Sequence, residues 1–369
     1  MDILLLSAYE AHSHHQWRLG MLEQLKHHNW TCLTLPPRYF SWRIRGSSLY
    51  WSQSHELNKD YDLLIATSMV DLATLRGLVP MLSRIPNLLY FHENQFAYPV
   101  SEKQHASVEP QMVTLYAALS ADRLLFNTQY NLNTFVEGVN ALLTQFPDYV
   151  PEGVAEGLAE KAQVLPVPLA DDWFIEKGVI KDKQVHEVIW NHRWEYDKGP
   201  ERLLRLVEQL PDDLPLRWHI VGQSFRQQPA CFATLRERLQ KREWLGQWGY
   251  IEDKDQYQQL LQSCDTVVST SLHDFQGLSV LEAMASGCQA LVPDRLAYPE
   301  FVPRRCRYKS DLDNEQEEAQ AAAALLQQRL ANENNTSRAN GVSVQRYSWQ
   351  EQAPFYEEQI QKAVAEFCG

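Results

Sequence analysis

Asp274 and Glu282 stand eight positions apart in the stretch His273–Ala285, HDFQGLSVLEAMA. A Gly-containing turn follows the first, and a small, apolar helix pattern over Leu278–Ser286 carries the second. Carboxylates so spaced can face one pocket. The helix start between them, around Gln276, Gly277, Leu278 and Ser279, offers unpaired N–H groups and the positive end of a dipole, an anion seat. Carboxylates that seek hydroxyls beside an anion seat point to a nucleotide-sugar. Glu282 reads alternatively as a surface helix residue, but an isolated Glu in so apolar a helix needs a partner, which a ribose diol would supply. His273 reads as a cap, a core residue or a lining of the site.

Phosphate chemistry has a second candidate. The chain has no Walker loop and no GxGxxG, so a P-loop NTPase and the usual dinucleotide site are unsupported. It does have NHRWEYDKGPE, Asn191–Glu201, after a strand and opening a helix at Pro200. Arg193 offers a fork and Lys198 a point charge to phosphate oxygens. Alone the pair reads as a solvated loop; beside the acid–Gly–helix stretch it reads as a diphosphate site.

In the first half, YFHENQFAYP puts His92, Glu93 and Asn94 directly after a strand, placed to orient hydroxyls or move protons. The alternative is a satisfied loop histidine. His12, His14 and His15 lack a spaced further ligand for zinc, and His14 reads better as a sugar or phosphate contact. Arg38, Arg43 and Arg45 lie among Tyr39, Phe40, Trp42, Tyr50 and Trp51 in a stretch that is neither clean helix nor clean strand. It reads as an RNA surface, with rings stacking on unpaired bases, or as a partly buried insertion with arginines lying over aromatics.

These groups need a scaffold. At 369 residues the chain exceeds one ordinary core, so two domains are expected. Strand runs at Ile3–Ser7, Thr31–Leu35, Asp62–Ala66, Asn87–Phe91 and Arg123–Phe126 alternate with helical stretches, the first from about Gln16 to His28. The pattern restarts after the linker Leu165–Phe174 with Glu187–Asn191, Leu216–Val221, Leu245–Trp248, Thr266–Thr270 and Gln289–Val292. Such alternation predicts doubly wound parallel sheets with ligands at the strands' carboxyl ends. The expected division is residues 1–168, 169–345 and a terminal helix, 346–369, returning to the first domain. A net charge of −13 argues against wholesale coating by nucleic acid but leaves room for a local basic patch. No apolar run approaches the ~20 residues of a membrane span, and no signal peptide is evident. Six scattered cysteines without metal spacing suit a reduced, cytoplasmic protein.

NHRWEYDKG and HDFQGLSVLEAMASG together resemble the retaining, family 4 class of GT-B glycosyltransferases. LPPRYFSWRIRGSSLYWSQ, LLYFHENQFAYPV and FNTQYN resemble, more specifically, the tRNA-queuosine mannosyltransferases, over essentially the whole chain. The resemblance implies a GT-B fold, two Rossmann-like domains facing a cleft. It implies transfer of mannose from GDP-mannose, with retention, to the cyclopentenediol of queuosine in tRNA-Asp, with no metal, no other cofactor and no membrane. Arg193 and Lys198 would hold the diphosphate, Asp274 the sugar and Glu282 the ribose. Gly222, Tyr250, Gln276, Gly277, Leu278 and Ser279 would complete the donor site. His92 would reach the sugar from the opposite domain. Ser13, His14, Arg38, Arg43, Arg45, Glu93 and Asn94 would receive the acceptor.

Two positions depart from the family pattern: Asp274 stands where Glu is usual, and Ala11–His12 replace a Gly pair before Ser13–His14. The competing readings are a family 4-like enzyme with another nucleotide-sugar and a lipid or glycan acceptor, and a non-catalytic nucleotide-sugar or RNA-binding protein. The first would favour a basic amphipathic surface helix, the second loss of Arg193, Lys198 or Glu282.

Overall fold

Ile3–Leu6 and Leu63–Ala66 are apolar at every position, as strands covered on both faces must be, and all eight side chains are buried. The computed structural model describes residues 1–97, 107–174, 184–224, 228–333 and 342–367. The chain divides into two units, Met1–Pro168 with Trp349–Gly369, and Leu169–Ser348.

In the first unit β1 (Asp2–Ser7), β2 (Asn29–Thr34), β3 (Leu63–Thr67), β4 (Asn87–Phe91), β5 (Arg123–Phe126) and β6 (Ala162–Val164) form a sheet in the order β2-β1-β3-β4-β5-β6. Its strand pairs are parallel. In the second unit β7 (His186–Trp190), β8 (Leu216–Val221), β9 (Leu245–Gly249), β10 (Thr266–Val268), β11 (Gln289–Pro293) and β12 (Arg307–Tyr308) run β12-β11-β10-β7-β8-β9, again parallel. The winding reverses between β7 and β10. The loops after those two strands, Asn191–Gly199 and Ser269–Gly277, therefore flank the crevice in which such sheets bind ligands. β6 and β12 lie outside the strands expected from sequence, being too short to show a period.

Two expectations in the first unit need correction. The Arg–aromatic stretch holds a regular helix, α2 (Phe40–Trp51). Its buried face carries Gly46, Ser47 and Ser48 beside Ile44 and Trp51, so hydroxyls and a glycine hide the 3.6 period. Gly46 is needed there: a Cβ would lie 2.2 Å from the Trp42 ring laid across it. The first helix, α1 (His12–Gln24), starts before the expected Gln16, which puts Ser13 and His14 in a helical first turn. Polar HSHH conceals that start too.

The last helix, α12 (Trp349–Glu366), belongs to the first unit and starts at Trp349 rather than at residue 346. Residues before it stay with the second unit, where Leu169 N–H donates to Tyr347 O at 2.7 Å. Gly20 of α1 admits the Trp349 indole, which a Cβ would meet at 2.1 Å. Tyr356 takes the Trp17 indole N–H at 2.9 Å and donates to Pro166 O at 3.0 Å or Tyr90 Oη at 3.1 Å. Glu357 meets His27 and His28 at 3.1 and 2.9 Å. No helix among the described residues is long and apolar enough to cross a membrane.

Tyr356→Phe leaves the buried Trp17 N–H without its acceptor. It should lower the unfolding free energy by about 1–3 kcal/mol in urea titrations. Unchanged stability would mean that packing alone holds α12.

Candidate active site

In the second unit the loop after β7 and the loop after β10 are bonded to each other. Leu272 and His273 donate their N–H groups to Asp197 O at 2.8 and 3.0 Å, and Thr270 Oγ1 donates to Lys198 O at 2.9 Å. Gly199 closes the contact with φ 63°, and a Cβ there would sit 2.3 Å from Thr270 O. Lys198, buried, donates from Nζ to His273 O at 2.7 Å and lies 3.2 Å from Asp197 and 3.6 Å from Asp274 carboxylate oxygens. From behind, Arg295 donates to Ser271 O at 2.9 Å and to Thr270 O at 3.3 Å. Both of its terminal nitrogens meet Glu318, 2 % exposed, which also holds Arg202 at 2.9 Å.

Asp274 folds back on its own turn. Its Oδ1 accepts the N–H of Gly277 at 2.9 Å and of Gln276 at 3.4 Å. Burial pushes its carboxyl up, but Lys198, His192 and the Gly277 N–H outweigh that and hold it below the ordinary range. Asp274 therefore caps the Gly277 amide, which takes that N–H out of the expected set of anion-binding amides. The amides of Leu278 and Ser279 remain, unpaired among the described residues, at the start of α10 (Leu278–Ala285).

Glu282, one turn further on, is pushed up to about 7 by burial, against the opposing pull of the Tyr257 hydroxyl and Lys254. The Tyr257 hydroxyl donates to it at 3.4 Å and accepts from Asn191 at 2.8 Å. Arg193 is exposed and paired with Glu195 at 3.1 Å. Gly222 brings the end of β8 onto the His192 carbonyl, where a Cβ would be 1.8 Å away. Tyr250 is exposed after β9, and Gln276 is buried. The strand-end loop Gly222–Phe225 ends on Phe225, which lies outside the described residues, as do residues 98 and 99 of the YFHENQFAYP stretch.

The first unit gathers its own cluster. His14 stacks on His92 at 3.8 Å between ring centres, and its Nε2 meets Glu93 at 3.1 Å. Trp17 and Tyr90 enclose the His92 ring at 4.9 and 4.7 Å. Burial, then His14, pushes the His92 pKa well below its usual value, so the ring is neutral, and its Nε2 has no partner among the described residues. Ser13 lies half-buried one residue before His14. Asn94 departs from its expected acceptor role. Its amide donates to Asn131 and Thr134 and its carbonyl accepts from Phe96 and Ala97 N–H groups, so it holds the loop.

Arg45 also departs, being paired with Asp71 at 2.9 Å and Glu109 at 3.1 Å. Arg38 is exposed beside Tyr39, and Trp42 and Tyr50 are exposed on α2, whereas Arg43 is half-buried. Asn191 and His192 stand inside the NHRWEYDKG stretch with no role read for them, and Tyr257, Arg295 and Glu318 lie outside any motif.

Comparison with known proteins fits this geometry. Residues 2–169 match the family described as tRNA-queuosine alpha-mannosyltransferase N-terminal, and residues 171–341 match glycosyl transferases group 1. A tRNA-queuosine alpha-mannosyltransferase of Drosophila melanogaster is 33% identical over 317 residues, 84% of this chain and 83% of that protein. The chain belongs to the tRNA-queuosine alpha-mannosyltransferase family. It is a glycosyltransferase of GT-B fold. Among solved structures, Anabaena HepE in complex with UDP aligns with TM-score 0.69 at 16% identity, covering 98% of this chain and all of that one. A UDP-forming trehalose-phosphate synthase from Burkholderia xenovorans aligns with TM-score 0.69 at 12% identity, covering 100% and 99%. At those identities the likeness concerns the fold.

The Glu282 pKa has a stability signature. A carboxyl raised from 4.5 to about 7 holds its proton more tightly when folded, so its contribution is present below pH 4.5 and lost as pH rises to about 7. Glu282→Gln should therefore gain on the parent protein between pH 5 and pH 8 in unfolding titrations. A pH-independent difference would contradict the buried, proton-holding Glu282.

Proposed function

We propose that this glycosyltransferase moves mannose from GDP-mannose to the cyclopentenediol of queuosine in tRNA-Asp, retaining the α configuration. The observation that carries the reading is the Lys198–Asp274 juxtaposition beside the unpaired α10 amides, in a chain whose residues 2–169 match the tRNA-queuosine family. The first half of that observation supplies donor chemistry, the second the choice of acceptor.

In this reading the bond from the sugar's anomeric carbon to the diphosphate breaks through an oxocarbenium-like state. Lys198, Arg193 and the Leu278 and Ser279 amides receive the departing charge, a preorganised effect worth several kcal/mol. Counter-charge comes from these groups, so no metal or other cofactor is required. Asp274, ionised and held by Gly277, presents Oδ2 toward sugar hydroxyls, and Glu282 with Tyr257 takes the ribose diol. The acceptor oxygen attacks from the face the diphosphate leaves, and its proton passes to a departing phosphate oxygen, giving GDP. His92, a neutral imidazole with one nitrogen unpaired among the described residues, serves acceptor hydroxyls; His14 stacks on it and is itself held by Glu93. A tRNA acceptor places the enzyme in the cytoplasm. On α2 and before it, Arg38, Tyr39, Trp42 and Tyr50 face solvent and suit phosphate contact and base stacking, with Arg45 bracing the helix.

Incubation with GDP-mannose carrying labelled mannose should label queuosine-containing tRNA-Asp and spare queuosine-free tRNA. Label on neither would overturn the reading. Chelation with EDTA should leave the rate unchanged. Arg193→Ala should lower kcat about 10²- to 10³-fold in a folded protein. Arg38→Ala should weaken tRNA binding and reduce its salt slope by about 1, while Trp42→Ala weakens binding with the slope retained. Equal binding by both variants would make the α2 surface a structural one.

A further inference from the structure

His192 stands between Asn191, bonded to Tyr257, and Arg193, yet no role for it follows from the acid and base pattern of the site. It is 3 % exposed. Its Nδ1 meets Ser279 Oγ at 3.2 Å, on the first turn of α10. Its Nε2 is buried and has no hydrogen-bond partner among the described residues. A buried ring nitrogen left so is uncommon in a folded protein and calls for a ligand or an ordered water. The surroundings say which kind. Lys198 and Arg193 act on the ring from one side of the charge balance and Asp274 and Asp197 from the other, and the amides of Leu278 and Ser279, unpaired among the described residues, lie on the turn that anchors the ring. Burial and Lys198 lower its pKa to about 4, so the imidazole is neutral at physiological pH.

We propose that His192 donates its Nε2–H, as a neutral imidazole, to an oxygen of the donor's diphosphate. With hydrogen on Nε2, Nδ1 accepts from the Ser279 hydroxyl 3.2 Å away, so both ring nitrogens are used. Ser279 thereby serves the anion twice, through its own amide and through the ring it orients. A neutral donor suits this place better than a third cation, because it adds no repulsion to Lys198 and Arg193 when the site is empty. The assignment rests on the nucleotide-diphosphate reading of the second unit.

The test is calorimetry of the full chain with inorganic pyrophosphate, GDP, UDP and guanosine, for the parent protein, His192→Phe, His192→Ala and His192→Gln. Phe and Ala should bind pyrophosphate and GDP about 10- to 100-fold more weakly, the factor expected for a hydrogen bond to a charged oxygen, with guanosine unchanged. Gln, which can still donate, should restore most of the loss. Pyrophosphate binding as tight in Phe or Ala as in the parent would overturn the proposal. So would an equal loss of guanosine, which would make the ring structural, or no pyrophosphate binding by the parent. If pyrophosphate behaves as expected but GDP binds no better than UDP, the GDP donor falls and the role of His192 stands.

Discussion

The second unit depends on one buried cation. Lys198 sits between two loops that follow different strands, and taking its ammonium out of water is favourable only with close compensation. Asp197, Asp274 and the His273 carbonyl provide it. The same contacts bring the loop after β7 and the carboxylate-bearing turn to one place, so the site forms by satisfying Lys198. Gly199 permits the approach, and the Arg295–Glu318–Arg202 ions, set behind the loop, hold the Thr270 and Ser271 carbonyls where the contact needs them. Asp274 illustrates the economy of the arrangement: one oxygen caps its own turn, and the other faces the ammonium.

Among the described residues, His92 in the first unit and His192 in the second each bury a ring nitrogen with no partner. Both rings are held at other atoms or faces, His92 by stacked His14 and enclosing Trp17 and Tyr90, His192 by Ser279. Neutral rings of this kind stabilise a ligand by hydrogen bonding and shape without adding charge. An unpaired buried polar atom lowers stability by about 1–3 kcal/mol, which the surrounding packing must offset. In the first unit that packing reaches to α12. Trp17 and Tyr90, the walls of the His92 ring, are the residues that Tyr356 ties down. The terminal helix is thus part of what keeps the first-unit cluster in place.

Much of this was legible in the chain. Apolar runs such as Ile3–Leu6 announced buried parallel strands, and Pro200 after Gly199 marked a helix start. Asp274, set before the glycine turn, lies against Lys198, and Glu282 is carried by the helix that follows. The Arg–aromatic stretch resisted because α2 buries serines and a glycine, which carry no hydrophobic period. Asn94 and Arg45 looked available for an acceptor because their types are polar, and composition does not show that Asn131, Thr134, Asp71 and Glu109 already occupy them.

What the sequence alone determined is local and chemical: the alternation of strands and helices, the turn glycines, the residue types able to meet phosphate and hydroxyl, and the motifs that mark the family. The tertiary structure alone decided which polar groups remain available. Arg295, Glu318 and Tyr257 lie far along the chain from the groups they hold, and His192 becomes a candidate ligand only because one nitrogen is bonded and the other is not. Hydrogen-bond satisfaction is a property of atoms brought together by folding. No spacing of letters can state it.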